Sequence, residues 1–251
     1  MRQPDAQLDS VTTGQAHSGQ ARSRQDSSDQ PGPGQARPAG GTPPVKAVSI
    51  ARAAAVGGLG FGVASLASDL VIGPLPDSGT PASQLVRFYA AHHAQVRTGG
   101  MLLALAGVLF VLFGLAVWAR IRTQEGRPLL TGLALIATGL VAVTTLIAAG
   151  AYGVLGDIGG QHAIVPAALQ AWHIMGSDGS LAGSASTFLF LLAAAGAGLQ
   201  AGVLPRWLSW SALALAVLQL LPDQIGFLGS LIFLAWTAAA GIWLLVTRHT
   251  S

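Results

Sequence analysis

Cysteine is absent from the 251 residues. That excludes disulfides, thiolate metal sites, c-type haem attachment and cysteine nucleophiles. Charge is scarce as well: 9% of the residues are charged and 51% are hydrophobic, where an ordinary soluble domain carries roughly 25% charged residues. Too few polar groups are present to cover a globular surface. The shortage deepens along the chain, because Arg2, Asp5, Asp9, Arg22, Arg24, Asp26, Asp29, Arg37 and Lys46 take nine of the 23 charges. The net charge is only +3, with basic residues scattered singly at the ends of apolar runs, so no nucleic-acid footprint is present. No Ser–His–Asp arrangement, HExxH or Walker motif occurs. No catalytic, cofactor-binding or metal-ligating residue is therefore expected, and the chain reads as non-enzymatic.

Residues 1–46 form a Gln/Ser/Pro/Gly-rich tail. Gln15, Gln20, Gln25, Gln30 and Gln35 recur every five residues, a period that fits neither helix nor strand. With almost nothing apolar to bury, such a segment cannot offset its ordering entropy and is expected to be disordered. No apolar core follows Met1, which argues against a signal peptide. The stretch "VKAVSIARAAAVGG" from Val45 has the character of a membrane-protein start, so translation from near that point is an alternative.

Residues 47–249 are expected to be an all-α integral membrane bundle of six transmembrane helices, spanning about 53–72, 98–118, 129–152, 180–204, 205–221 and 225–246. A helix rises 1.5 Å per residue, so roughly 20 residues cross a hydrocarbon core of about 30 Å. The fifth segment, Pro205 to Leu221, is the shortest. Pro205 suits a first helical position and Pro222 a stop. Strand-type alternation is missing, which excludes a closed barrel.

Lys and Arg counts set the orientation. With the N-terminus inside, the inner side holds Arg2, Arg22, Arg24, Arg37, Lys46, Arg52, Arg120, Arg122, Arg127, Arg206 and Arg248. The outer side holds Arg87 and Arg97. The expectation is a multi-pass protein of the cell membrane with both termini cytoplasmic. Trp118, Trp207, Trp210 and Trp243 fall at inner span ends, as interfacial anchors would.

Two outer loops carry amphipathic segments. In "TPASQLVRFYAAHHAQV", Thr80 is placed to cap a helix starting at Pro81, with Leu85, Phe88, His92 and Val96 on one face. This predicts a short helix lying at the membrane surface. In "IVPAALQAWHIM", Val165, Leu169, Trp172 and Met175 form a second stripe. His92 and His93 are adjacent and point about 100° apart, which fails the i,i+4 spacing of a helical metal pair. An outer metal or enzymatic site would have to gather His92, His162 and His173 with Asp157 or Asp178. The simpler reading is a solvated interfacial face.

The span centres carry no ionisable residue, and no inverted repeat relates the two halves. Both absences count against an ion-coupled transporter. Asp69 is the one acidic residue inside a span, about a turn from its outer end. If the first two spans form a hairpin, Arg97 reaches similar depth, and a structural Asp69–Arg97 ion pair is expected. Gly58 with Gly62, and Gly198 with Gly202, have the four-residue spacing that lets helices approach closely. They serve either packing within the chain or a homodimer.

The stretch "LLAAAGAGLQAGVLPRWLSWSALALAVLQLL", centred on Pro205–Arg206–Trp207, resembles a set of bacterial, mostly actinobacterial, multi-pass membrane proteins of the domain-of-unknown-function type. A Pro-rich first outer loop followed by "FYAAHHAQVR" is similar to theirs. The resemblance covers about residues 47–249. It implies a six-helix membrane protein and brings no activity, cofactor or site residue. Apart from the lipid bilayer no partner follows from the sequence. Three classes of function remain: an accessory, assembly or envelope-stress component; a transporter or channel for a small neutral or lipophilic solute; and an outer-face metal-binding or enzymatic site.

Overall fold

The computed structural model describes residues 45–122, 128–161, 165–178, 180–221 and 223–247, which leaves most of the expected tail outside the described residues. Among these, all regular structure is helical: α1 (Val45–Ile72), α2 (Ala82–Arg122), α3 (Pro128–Gly159), α4 (Pro166–Asp178), α5 (Ser180–Ala201), α6 (Arg206–Leu218) and α7 (Asp223–Val246). Five of them, α1, α2, α3, α5 and α7, are long and apolar enough to cross a membrane. The sixth expected span is α6, apolar but only 13 residues long, or about 20 Å at 1.5 Å per residue.

Exposed apolar stripes give these helices their setting. Val56, Leu59, Val63, Leu66 and Leu70 lie exposed along α1, and Met101, Leu105, Val108, Leu112 and Leu115 along α2. Steps of three and four place each set on one helical face. Continuous apolar stripes of this length suit lipid contact and would be a liability in water. The protein is accordingly a multi-pass helical membrane protein.

Helix boundaries follow local chemistry. Gly73 and Gly202 adopt φ of +70° and +65°, and their amides return to the carbonyls of Asp69 and Gly198. These are left-handed caps that a side chain would disfavour. At their starts α2 and α6 use proline carbonyls, which accept from Leu85 N–H at 3.2 Å and Ser209 N–H at 3.0 Å. Pro81 and Pro205 thus sit one position before the helix. Pro81, not Thr80, therefore occupies the position just before α2.

The surface helix expected before the second span does not exist as a separate element. It is the first third of α2, a continuous helix of 41 residues, about 60 Å long. Nothing between Ala82 and Arg122 breaks the helix: proline is absent, and Gly99 and Gly100 are pressed by neighbours, Gly99 by Ile72 and Gly100 by Ala149 and Gly153. The third span is longer than expected for the same reason, since α3 continues past Tyr152 to Gly159. Beyond the apolar bundle, α2 and α3 join α4 around a small second core of Leu85, Tyr89, Val96, Leu155 and Leu169, all fully buried.

In the main bundle α1, α2, α3, α5, α6 and α7 pack in chain order, and α7 returns to α1 to close a ring. Every neighbouring pair runs antiparallel. Gly57 abuts Phe113 while Ser68 meets Gly99; Thr144 meets Ser186 while Gly196 abuts Leu130; Trp236 meets Leu208 while Gly229 abuts Leu218; Gly58 abuts Thr237 while Gly241 abuts Ala54. A closed ring whose neighbours all alternate in direction needs an even number of members, and α6 is the sixth. One end of the ring carries Arg52, Arg120, Arg122 and Arg206 with Trp118, Trp207, Trp210 and Trp243. The opposite end carries Asp69, Asp77, Arg87, Arg97 and Asp157. They are called the tryptophan end and the aspartate end below. Trp207 and Trp210 are about 60% exposed, and the Arg122 guanidinium lies 5.4 Å from the Trp118 ring centre, a cation–π contact.

The glycines of α1 are spent inside the chain. A methyl added at Gly58 would stand 2.5 Å from the Thr237 carbonyl oxygen, and one at Gly62 3.3 Å from that of Leu234. Gly198 likewise faces Ser209. Gly58, Gly62 and Gly198 are thus already covered by α7 and α6, while nothing lies within 4 Å of Gly202. Gly58→Ala should lower the melting temperature in detergent by an amount equivalent to about 1–3 kcal/mol, the usual cost of overpacking. Gly139→Ala, where nothing lies within 4 Å, should match or exceed the parent, because alanine favours helix. Equal melting temperatures for the two variants would contradict the close approach of α1 and α7.

Candidate functional site

Four phenylalanines from four helices meet at the centre of the ring. Phe61 of α1 and Phe190 of α5 each lie 4.9 Å, centre to centre, from Phe110 of α2, and Phe233 of α7 lies 5.9 Å from Phe61. The contacts are edge-to-face, the arrangement the ring quadrupoles favour. Trp236 extends the cluster, and its indole N–H donates to the Leu208 carbonyl at 3.0 Å.

Above this cluster, toward the aspartate end, lies a cavity of about 520 Å³. Phe61 and Phe233 form its floor, and Leu75 and Gly176 lie at its other end. The volume falls within the range of small-molecule sites, roughly 300–1,000 Å³. Along α1 the lining follows one helical face, Phe61, Ser65 and Asp69, at steps of four. Polar groups from the other helices include Thr144, Thr145 and Tyr152 of α3, Ser184 and Thr187 of α5, and Gln219 at the end of α6.

The hydrogen-bond state of these groups decides what the cavity offers. Thr145 donates to the Val141 carbonyl at 2.7 Å, and Thr144 is held by the Leu140 and Val141 carbonyls at 3.0 Å and by Ser186 at 3.2 Å. A hydroxyl that donates to its own helix keeps acceptor capacity. Gln219 is 6% exposed, and among the described residues its Nε2 has no hydrogen-bond partner. A buried amide left in this condition costs about 1–3 kcal/mol, and Gln219 is one of the residues that line the cavity.

The expected Asp69–Arg97 pair is not formed. Arg97 Nε lies 3.5 Å from Asp157 Oδ1 instead. The longer α3 explains the change: it carries Asp157 up beside α2, with Gly156 against the Arg97 backbone. Both partners are more than half exposed, so the pair contributes no more than about 1 kcal/mol. Asp69 lines the cavity, together with Tyr152.

The histidines do not converge. His92 Nδ1 meets the Phe88 carbonyl at 2.9 Å with its ring stacked on Phe88, and His93 Nδ1 lies 3.1 Å from the Ala90 carbonyl. His173 is buried at 1% exposure, with Nδ1 2.8 Å from the Tyr89 hydroxyl and Nε2 3.4 Å from the Asp77 carbonyl. A carbonyl only accepts, so Nε2 carries the proton and the Tyr89 hydroxyl donates to Nδ1. His162 lies outside the described residues. Among the described residues no three His, Asp or Glu side chains gather as metal ligands.

His173 also corrects the stripe expected on α4. The buried face is Leu169, His173 and Gly176, while Val165 and Met175 are exposed. The first outer stripe shifts likewise, with Tyr89 buried and Phe88 and His92 only half-buried. A hydrophobicity pattern has no means of anticipating a histidine and a tyrosine that bury each other's polar atoms. The result is a polar clasp that ties α2, α4 and the 73–81 connection together over the cavity.

No family model, curated protein or solved structure matches the chain.

Tyr89→Phe should destabilise the protein by about 1–3 kcal/mol, because it leaves a buried imidazole nitrogen without its donor. His173→Leu should cost a similar amount, and the double variant less than the sum. Additive losses in thermal unfolding would mean that the clasp contributes no coupling.

Proposed function

We propose that the protein is a six-crossing membrane protein that takes up a small solute in its central cavity from the outer side. The observation that carries this reading is the 520 Å³ cavity with an aromatic floor and with Asp69, Tyr152, Gln219 and several hydroxyls in its wall. Of the three classes left by the sequence, a solute transporter or channel is the one that uses such a space. An accessory or assembly component has no need of it. The outer metal site gains no support from the separate engagement of His92, His93 and His173.

Six crossings are supported by the even, alternating ring and by α6 as its return stroke. Its shortness is offset by Pro205 before it and Gln219–Leu221 after it, and by a location between α5 and α7. The resemblance around Pro205–Trp207 points the same way. Orientation rests on the Lys and Arg count: the tryptophan end is cytoplasmic with both termini, and the aspartate end faces outward. The aromatic cluster then closes the cavity on its cytoplasmic side, so passage of a solute requires the rings to separate.

The cysteine-free chain makes the test direct. Single replacements Thr145→Cys and Ser184→Cys should react with a membrane-impermeant methanethiosulfonate added outside intact cells. Ala197→Cys, beyond the cluster and fully buried, should not. Protection of both cavity positions in the folded protein, or reaction only from the cytoplasmic side, would overturn the reading.

A further inference from the structure

We propose that the ligand of this cavity is a small organic ammonium ion, with Asp69 as its counter-charge. The proposal rests on the solute-binding reading above and names the ligand class for that site.

The wall sets one carboxylate among neutral hydroxyl and amide groups. Among the described residues Asp69 is the one carboxylate in the lining and no salt bridge engages it; the nearby cation Arg97 is held by Asp157. An ionised carboxylate offers acceptors only. Thr144 and Thr145 have directed their hydroxyl protons elsewhere, so they too present acceptors. A ligand that brings several N–H donors and one positive charge satisfies all three. A single carboxylate balances a single charge, which disfavours divalent metals, and these would also need more oxygen ligands.

Size argues for an organic body. The cavity has room for many times the roughly 30 Å³ share of one water molecule. Leu103, Leu231, Leu234 and Phe61 supply apolar wall, against which a carbon chain would lie. Gln219 also lines the cavity, and with its side chain turned inward its amide would donate to a hydroxyl or carbonyl oxygen on the ligand. The expected ligand is thus an amine with an oxygen function at its far end.

The approach is electrostatically consistent. Past residue 46 all five aspartates fall toward the aspartate end: Asp69, Asp77, Asp157, Asp178 ending α4 and Asp223 starting α7. They are opposed there by Arg87 and Arg97 only. A low-dielectric cleft entered past an excess of negative charge concentrates cations.

The test uses the full chain in nanodiscs of phosphatidylcholine and phosphatidylglycerol. Three probes of matched shape are titrated by thermal shift: 5-amino-1-pentanol, 1,5-pentanediol and 5-hydroxypentanoate. The amino alcohol should stabilise saturably. The diol should bind roughly ten- to hundredfold more weakly, the worth of a hydrogen bond to a charged group, and the carboxylate should not bind. Asp69→Asn should remove the preference for amine over diol, and Asp69→Glu should restore part of it. Should Asp69→Asn fold poorly, the Thr145→Cys protein gives a second readout. There a cationic methanethiosulfonate should react faster than an anionic one, and Asp69→Asn should abolish the difference. Equal affinity for amine and diol, or an unchanged preference in Asp69→Asn, overturns the ammonium assignment and leaves the cavity reading standing. Failure of all three probes to bind while Thr145→Cys stays reactive also overturns it. Unreactive cavity cysteines instead sink the cavity reading itself. Because phosphatidylethanolamine carries the same ammonium group, the titration is repeated with that lipid present. Loss of amino alcohol binding there assigns the site to a lipid headgroup, and unchanged binding assigns it to a soluble amine.

Discussion

The bundle depends on how closely α1 lies between α2 and α7. A methyl at Gly57 would stand 2.6 Å from the Phe113 amide nitrogen, and one at Gly58 2.5 Å from the Thr237 carbonyl oxygen. Both neighbours are backbone, so neither can turn aside. In lipid the apolar side chains gain little by leaving their surroundings, and close backbone contact supplies much of the association. Two adjacent glycines point about 100° apart on a helix, which is why this pair admits a neighbour on each side at once. One to three turns further along the same helix come Phe61, Ser65 and Asp69. The clamp that fixes the axis of α1 therefore also fixes the floor and one wall of the cavity.

That cavity is tolerable in a membrane only because its walls settle their own hydrogen bonds first. Thr145 donates to Val141 and Thr144 to Leu140, each a carbonyl one helical turn back. Such back-bonding lets hydroxyls sit inside a span at small cost. Asp69 and Gln219 stand outside this economy. The Gln219 amide, unsatisfied among the described residues, is a local penalty that packing alone does not remove.

Much of the fold was legible in composition and run length, because in lipid apolar length and backbone satisfaction leave few alternatives. Five of the expected spans correspond to long apolar helices, and α6 occupies the place of the sixth. The boundaries were less legible. Residues Ala82 to Arg97 are polar enough to suggest a separate surface helix, yet no residue there stops α2, and the outer core around Tyr89 and Leu155 holds it extended. The Asp69–Arg97 pair was misjudged for the same reason: an α3 ended at Tyr152 has no Asp157 to offer. Asp69 was visible as the odd charge in a span. Its companions in the cavity were not, because Thr144, Thr145, Ser184 and Gln219 come from three helices, and a sequence without helix rotations cannot bring them to one space.

The aspartate end of the molecule gives the cavity a cover of different construction from its floor. The floor is dry aromatic packing among Phe61, Phe110, Phe190 and Phe233. The cover is a short helix, α4, held by the Tyr89–His173 hydrogen bond and the Asp77 carbonyl, with Leu169 as its fully buried apolar anchor. Edge-to-face rings separate only by exposing apolar surface, whereas one or two polar bonds exchange readily with water. The two closures therefore differ in the disruption needed to open them, and the cover is the weaker. A cavity with a hydrogen-bonded cover at the aspartate end and a packed aromatic seal toward the tryptophan end opens more readily at the first than at the second.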